Sequence, residues 1–480
     1  MANSLNVLLI TTDQMRRDHM GCEGNPVIRT PALDRLAGDG VSLRRAYVNN
    51  PVCMPNRASL ATGRLPANHR CWANGIDLPD EERTIADVLG EHGYRTALLG
   101  KPHFRITALP FDKAPRGLEC GPAWEQGINQ PSWCGPYYGF QYVQLTVGHG
   151  YANLNRAHLC EWVKRHCPQA LAGQFKWDMS PSGEPECFTP LYPHQAHSSN
   201  WLGQIGGDYL RDRAADRQPF LLWVSFPDPH HPFCPPKPYD TMYDPSSVPM
   251  PRLGEGALAG KPPHYKSRGL SEAQIRDIIA RTYGMISLVD ENIQRLLDVL
   301  DQTKLADNTV VIFTSDHGDL MGDCGMTHKG PWLLEGLVNV PMIWRVPGGR
   351  GGQRLDGLFS TCDIASTILA LLGIDVPRAM DGLAQAELVR GGAAARQEAY
   401  IEYRTPQGDN LRAIVTSRHK LVYYAGQPYG ELYDMTAELP DERNLWAEPA
   451  SAAVRAKLTQ RLLDSLILHD DRRLWPIAGA

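Results

Sequence analysis

Two short runs, Asp13-Gln14 and Asp316-His317, carry two carboxylates, one amide oxygen and one imidazole. This is a mostly hard donor set, suited to Ca²⁺, Mg²⁺ or Mn²⁺. Zinc would be expected to recruit more histidine or cysteine. Arg57, Lys101 and Lys329 add positive charge. With a divalent cation they would form a pocket for a compact oxyanion, since cationic groups and metals stabilise the charge on a transferring phosphoryl-type group. His103 and His230 are of the type that moves protons near neutral pH. Taken singly, each of these residues is ordinary. An Asp-His pair at a strand end is more often a turn than a ligand pair. Four clusters, however, fall at or just past the C-terminal ends of predicted strands: Asp13-Gln14, Lys101/His103, His230 and Asp316-His317. That is the edge at which open α/β sheets bind ligands.

The elements that must position them follow from the apolar pattern. Residues 6 to 12 and 220 to 225 are uninterrupted apolar runs, as are 309 to 314 and 340 to 344, the pattern of strands buried on both faces of a parallel sheet. Residues 41 to 48 alternate like a strand, and 94 to 99 form another that delivers Lys101 and His103. Between them, Thr30-Pro31 opens a helix that Gly38 and Gly40 stop. Further helices are predicted at 57 to 62 and 84 to 91, and a long one follows Ser271, whose capping box is completed by Gln274. Strands alternating with helices predict an α/β fold with a large, mostly parallel sheet sandwiched by helices.

Residues 110 to 215, rich in Gly, Pro, Trp and His, break this rhythm and read as an irregular surface insertion that shapes the substrate pocket. Trp124, Trp133, Tyr137, Tyr138, Trp162 and Trp177 within it could stack on a ring of a ligand or pack the loops together. Residues 1–380 are expected to form the catalytic α/β domain. Residues 381–480, with short strands and a terminal helix from about 452 to 469, are expected to form a small α+β domain.

Composition bounds the function class. The 480 residues are 42% hydrophobic and 21% charged, with a net charge of −5, as in ordinary globular proteins. Without a basic stripe or a juxtamembrane basic cluster, neither nucleic acid nor a lipid surface is an expected partner. No run reaches the roughly 20 apolar residues of a membrane helix. The first residues lack a signal-peptide pattern, which leads to an expectation of cytoplasmic location. The eleven cysteines have no framework spacing and are expected to be free thiols, ten of them structurally bland.

The remaining cysteine stands in Cys53-x-Pro55-x-Arg57-Ala58-Ser59-Leu60-x-Thr62-Gly63, which resembles the signature of the type I sulfatases of the alkaline phosphatase superfamily. The resemblance continues through Thr30-Pro31-x-Leu33-Asp34, Gly100-Lys101-x-His103, Pro229-His230-x-Pro232-Phe233, Thr314-Ser315-Asp316-His317-Gly318 and Lys329-Gly-Pro-Trp-Leu-Leu-Glu335. It implies an alkaline phosphatase-like fold. It also implies that a formylglycine-generating enzyme oxidises Cys53 to formylglycine. The hydrated aldehyde would attack sulfur to give a covalent sulfo-enzyme intermediate, and its second hydroxyl would then expel sulfate. The resemblance assigns Asp13, Gln14, Asp316 and His317 to one divalent metal, with residue 53 as a further ligand. Arg57 would hold the formylglycine. Lys101 and Lys329 would grip the sulfate, and His230 or Lys329 would protonate the leaving oxygen. His103 would deprotonate the hydrate, and Asn74 would contact substrate.

Two positions depart from the commonest sulfatase pattern. Gln14 stands where many members carry Asp, and His317 where many carry Asn. Both choices resemble the phosphonate monoester hydrolase and phosphodiesterase branch, and they leave Mn²⁺ as the alternative to Ca²⁺. Lys101 and His103 are the sulfatase-type pair, which favours a small-molecule sulfate ester, aryl or sugar, over a phosphonate. Were Cys53 never oxidised, the same residues would serve only to bind an oxyanion or a metal. Homo-oligomers of several sizes are compatible with the resemblance.

Overall fold

A computed structural model of the chain describes residues 5–470, apart from positions 155, 217, 406, 407 and 409. Among the described residues, ten strands precede residue 361. They are β1 (Asn6–Thr12), β2 (Val41–Tyr47), β3 (Arg95–Gly100), β4 (Tyr142–Leu145), β5 (Trp177–Met179), β6 (Phe188–Pro190), β7 (Phe220–Ser225), β8 (Thr309–Ser315), β9 (Met342–Arg345) and β10 (Gln353–Ser360). All but β5 and β6, which make a separate antiparallel ribbon, join one eight-stranded sheet in the order β10-β2-β9-β8-β1-β7-β3-β4. Only β9 runs antiparallel to its neighbours.

The central strands β1, β7 and β8 are buried along their whole length, as their uninterrupted apolar sequence requires. Alternation along each strand divides the side chains between two cores. Val7, Leu9, Leu221, Trp223, Val310 and Ile312 face one layer of helices. Leu8, Ile10, Leu222, Val224, Val311 and Phe313 face the other. The first layer holds α2 (Cys53–Thr62), and the second holds α1 (Pro31–Asp39) and the long helix Glu272–Gln302. The long helix begins at the Ser271–Gln274 capping box that the sequence predicts. Among the described residues, no helix is long and apolar enough to cross a membrane. All eleven cysteines are free thiols.

The segment 110–215 departs from the expected irregular excursion. It supplies β4, which extends the sheet alongside β3, and the 18-residue helix Ser198–Ala215, which packs on the long helix. Its glycines hid that helix, because glycine lowers helix propensity. In the fold they permit close packing. A Cβ at Gly203 would lie 2.2 Å from Asn292 Oδ1, and one at Gly206 would lie 2.8 Å from Leu296 Cδ2.

The strands Glu398–Arg404, Asn410–Thr416, His419–Tyr424 and Gly430–Asp434 form a second antiparallel sheet, backed on one face by the helix Ala452–Leu468 through Leu458 and Leu462. Its other face, with Ile401, Val415 and Val422, joins the first core of the large sheet. Buried Lys420 reaches across to the Leu333 carbonyl at 2.8 Å and to Glu335 at 2.9 Å. It thereby ties the smaller sheet to the segment that follows Lys329.

Candidate active site

Backbone register assembles the site. Parallel pairing sets Thr12 opposite Ser315, and both Thr11 and Gly100 opposite Ser225. The ladder continues one step past the strands. The Asp316 N–H donates to the Thr12 carbonyl at 3.1 Å, Lys101 N–H to the Ser225 carbonyl at 3.0 Å, and Asp13 N–H to the Asp228 carbonyl at 3.1 Å. Four clusters distant in sequence therefore arrive in one row. At Gly100, with φ +109°, a Cβ would stand 2.0 Å from the Ser225 carbonyl oxygen, so only glycine lets the chain turn into Lys101 there.

Cys53 is the first residue of α2, and Val52 before it is extended and offers no side-chain cap. The helix N-terminus, with its partial positive charge, thus faces the row of strand ends. Asn74 does the capping: its Oδ1 accepts the Met54 N–H at 3.0 Å. Asn74 is itself exposed, at the rim rather than in the floor. Arg57, one turn into the helix and fully buried, donates to Asp316 (2.7 Å), Asp13 (3.2 Å), the Lys101 carbonyl (2.6 Å) and Ser225 Oγ (2.8 Å). It neutralises two buried carboxylates and ties α2 to four strand ends.

Asp13, Cys53, Asp316 and His317 each present a ligand atom, and these lie within 4.8 Å of one another. The set fits a divalent metal on two further observations. The Oε1 of buried Gln14 has no hydrogen-bond partner, while its amide nitrogen is held by the Asp319 carboxylate. The amide is thus oriented with a bare oxygen, which a cation would satisfy. The Nδ1 of His317 lies 2.8 Å from the Gly318 carbonyl. That contact places the proton on Nδ1 and leaves the Nε2 lone pair as the ligand atom, facing Cys53 Sγ at 3.2 Å and Lys329 Nζ at 3.1 Å.

Lys329 Nζ lies 2.8 Å from Cys53 Sγ, 2.9 Å from His230 Nε2 and 3.1 Å from His317 Nε2. Its three protons have three acceptors. Burial and Asp13 resist ionisation of the Cys53 thiol, yet Lys329, Lys101 and His317 hold it below the usual thiol range. Burial would raise the Asp13 carboxyl, but Lys101 and Arg57 keep it well below the usual carboxylate range. His230 is held neutral by burial and by the cationic field of its neighbours, His149 and Lys329 among them. His103 is likewise pushed well below the usual histidine range by burial, Lys101 and Arg57. It sits in left-handed backbone at φ 55°, and its Nδ1 is buried without a partner.

The structure therefore gathers Asp13, Gln14, Cys53, Arg57, Lys101, His103, His230, Asp316, His317 and Lys329 at one edge, with Asn74 at its margin. It adds His149, which sequence reasoning missed. His149 Nε2 is 2.5 Å from Lys101 Nζ, and its ring stacks on His230 with centroids 3.6 Å apart. Gly148 and Gly150 flank it, both at positive φ, just beyond the C-terminal end of β4. Recognising β4 as a strand would have placed His149 on the same edge as the other clusters.

The profile of the Sulfatase family matches residues 5–374, and that of the N-sulphoglucosamine sulphohydrolase C-terminal region matches residues 322–467. The chain belongs to the sulfatase family, within the alkaline phosphatase superfamily. It is 28% identical to an arylsulfatase of Clostridium perfringens, covering 92% of this chain and 90% of that protein. It is 30% identical to the multifunctional alkaline phosphatase superfamily protein PehA of Trinickia caryophylli, covering 98% and 96%. The phosphonate monoester hydrolase of Agrobacterium radiobacter superposes with a TM-score of 0.80 at 28% identity, covering 98% and 97% of the two chains.

Proposed function

We propose that this chain hydrolyses a sulfate ester at the Cys53 site, with position 53 matured to formylglycine and one divalent ion held by Asp13, Gln14, Asp316 and His317. The observation that carries the reading is the placement of Cys53 Sγ inside the four-residue ligand cluster, 2.8 Å from Lys329 Nζ. A formylglycine would supply a geminal diol as nucleophile, and the ion would supply Lewis acidity. The chain's own residues do the rest. Lys101, against Asp13, and Lys329, against Cys53 and His317, bind the oxygens of a tetrahedral anion. Arg57 fixes the start of α2 and compensates Asp13 and Asp316. Lys329 Nζ is placed to deliver a proton to a leaving oxygen, and His230 Nε2, 2.9 Å from it, accepts from the same ammonium and holds it in place. His103, kept neutral, is placed to accept one. Ca²⁺ suits the two carboxylates and the amide oxygen, while the imidazole of His317 brings in Mn²⁺ as the alternative.

A second reading has its own support. Gln14 and His317 are the choices found in the phosphonate monoester hydrolase branch, and the chain superposes over nearly its whole length on such an enzyme. Hydrolysis of phosphonate monoesters or phosphate diesters in the same pocket follows from the shared tetrahedral shape of the oxyanions. Two measurements test the ordering. Peptide mass spectrometry across residues 46–57, on protein made alongside a formylglycine-generating enzyme, is expected to show loss of the Cys53 sulfur; an intact thiol removes the mechanism. Kinetics on matched aryl sulfate, phosphate diester and phosphonate monoester are expected to rank sulfate first; a clear preference for the phosphonate reverses the two readings.

A further inference from the structure

Lys101 and Lys329 both reach the cluster around Cys53, but their hydrogen bonding differs. Lys329 has an acceptor for each of its three protons: Cys53 Sγ, His230 Nε2 and His317 Nε2. Lys101 has two acceptors among the described residues, the Asp13 carboxylate and His149 Nε2, the latter at 2.5 Å. An ammonium only donates, so His149 Nε2 receives it through its lone pair and carries its own proton on Nδ1. His149 Nε2 lies 3.9 Å from Asp13 Oδ2, too far for a direct hydrogen bond. The Lys101 ammonium bridges them. At a tetrahedral nitrogen, two fixed N–H directions set the third, which is left for an oxygen of the transferring group.

The imidazole is held by contacts that do not involve Lys101. Past β4, the Thr146 N–H donates to the Gly100 carbonyl at 3.0 Å, which extends the ladder beyond this strand as beyond the others. Gly148 and Gly150, both at positive φ, then turn the chain. A Cβ at Gly150 would lie 2.8 Å from Cys234 Sγ and 3.1 Å from Pro232 Cγ, so the loop is pressed against the segment that follows His230. The His149 ring lies flat on that of His230, with an interplanar angle of 6°. The acceptor is therefore in place before any substrate arrives. Asp13 is shared between Lys101, Arg57 and the ligand cluster, whereas the one hydrogen bond of His149 Nε2 is to Lys101. Lysine is a compact charge on a flexible stem, and with Asp13 alone its ammonium would swing about a single contact.

We propose that His149 is a positioning residue for the reaction, holding the Lys101 ammonium so that its third proton meets an oxygen of the transferring group. The proposal rests on the reading that Lys101 binds the oxyanion at the Cys53 site. Two substitutions separate the acceptor from the ring. His149→Phe keeps an aromatic face against His230 and removes the acceptor. His149→Gln removes the ring and keeps an acceptor oxygen about as far along the side chain as Nε2.

The test measures kcat and KM of the matured, metal-loaded enzyme on 4-nitrophenyl sulfate, or on 4-nitrophenyl phenylphosphonate where that is the better substrate. His149→Phe is expected to lower kcat about 10–100-fold and to change KM by less than about threefold. His149→Gln is expected to hold kcat within about threefold of the unaltered enzyme. In the Lys101→Ala background, His149→Phe is expected to change kcat by less than about twofold, because the group it positions is gone. The proposal is overturned by unchanged kcat in His149→Phe, by equal losses in the Phe and Gln variants, or by a His149→Phe loss that persists in full without Lys101. Unchanged kcat in Lys101→Ala alone would instead overturn the oxyanion role of Lys101, and the role of His149 with it.

Discussion

The floor and the outer wall of the pocket are built in different ways. The floor, formed by Asp13, Arg57, Asp316 and His317, is fully buried. Each of these residues is placed by a strand end or by α2, and the strand ends are fixed by ladder hydrogen bonds one step past the sheet. The wall, formed by Glu186, His231 and His328, is half-buried and hangs on side-chain contacts between loops. A position fixed by sheet register cannot relax when a side chain is changed, whereas a loop contact can. Changes in the floor should therefore cost chemistry and stability together, and changes in the wall should cost less of both.

The largest effect is expected at Cys53, the proposed nucleophile. Cys53→Ala is expected to lower kcat by at least about 10³-fold while the protein still binds Mn²⁺ in a calorimetric titration. Retained turnover would move the nucleophile elsewhere. Arg57→Met leaves two buried carboxylates without their partner and is expected to cost about 3–5 kcal/mol in urea unfolding. Lys101→Ala is expected to cost about 10²–10³-fold in kcat with a much smaller change in KM; an unchanged rate would remove Lys101 from the site.

A fourth prediction concerns the layer beneath His103. Glu119 accepts the backbone N–H groups of His103, Phe104 and Arg105 at 2.6, 2.9 and 3.0 Å, and the Tyr137 hydroxyl at 2.7 Å. Burial outweighs these bonds and raises its pKa from 4.5 to about 7. A carboxyl raised on folding is stabilised in its protonated form. Its contribution is therefore complete below pH 4.5 and is lost as pH rises through about 7. Glu119→Gln is expected to flatten the fall in unfolding free energy across that window; an unchanged slope would assign the pH dependence to another group. The smallest effect is expected at Trp177, 39% exposed on β5, where Trp177→Ala should shift unfolding by no more than about 0.5 kcal/mol.

Much of the floor was legible in the sequence because apolar runs end abruptly at polar residues. Asn6 to Thr12 stops at Asp13, and Thr309 to Ser315 stops at Asp316. The Ser271–Gln274 cap and the glycine that closes α2 were legible for the same local reason. His149, the helix Ser198–Ala215 and the row from His231 to Glu186 were not. β4 has only four residues, the helix carries glycines at its contact face, and the row joins residues 97 and 142 positions apart.

What the sequence by itself determined is the set of side-chain types in the floor: the carboxylates, the imidazole, the cations and the thiol. Those properties belong to side-chain type and to local strand and helix signals. Only the tertiary structure decided that Asn74 caps α2, that Gln14 presents a bare oxygen because Asp319 holds its amide, and that His149, His231, His328 and Glu186 gather beside His230. Each of these depends on a contact between segments far apart in the chain. Such contacts are set by sheet register and by close helix packing, neither of which leaves a local trace in the residues that meet.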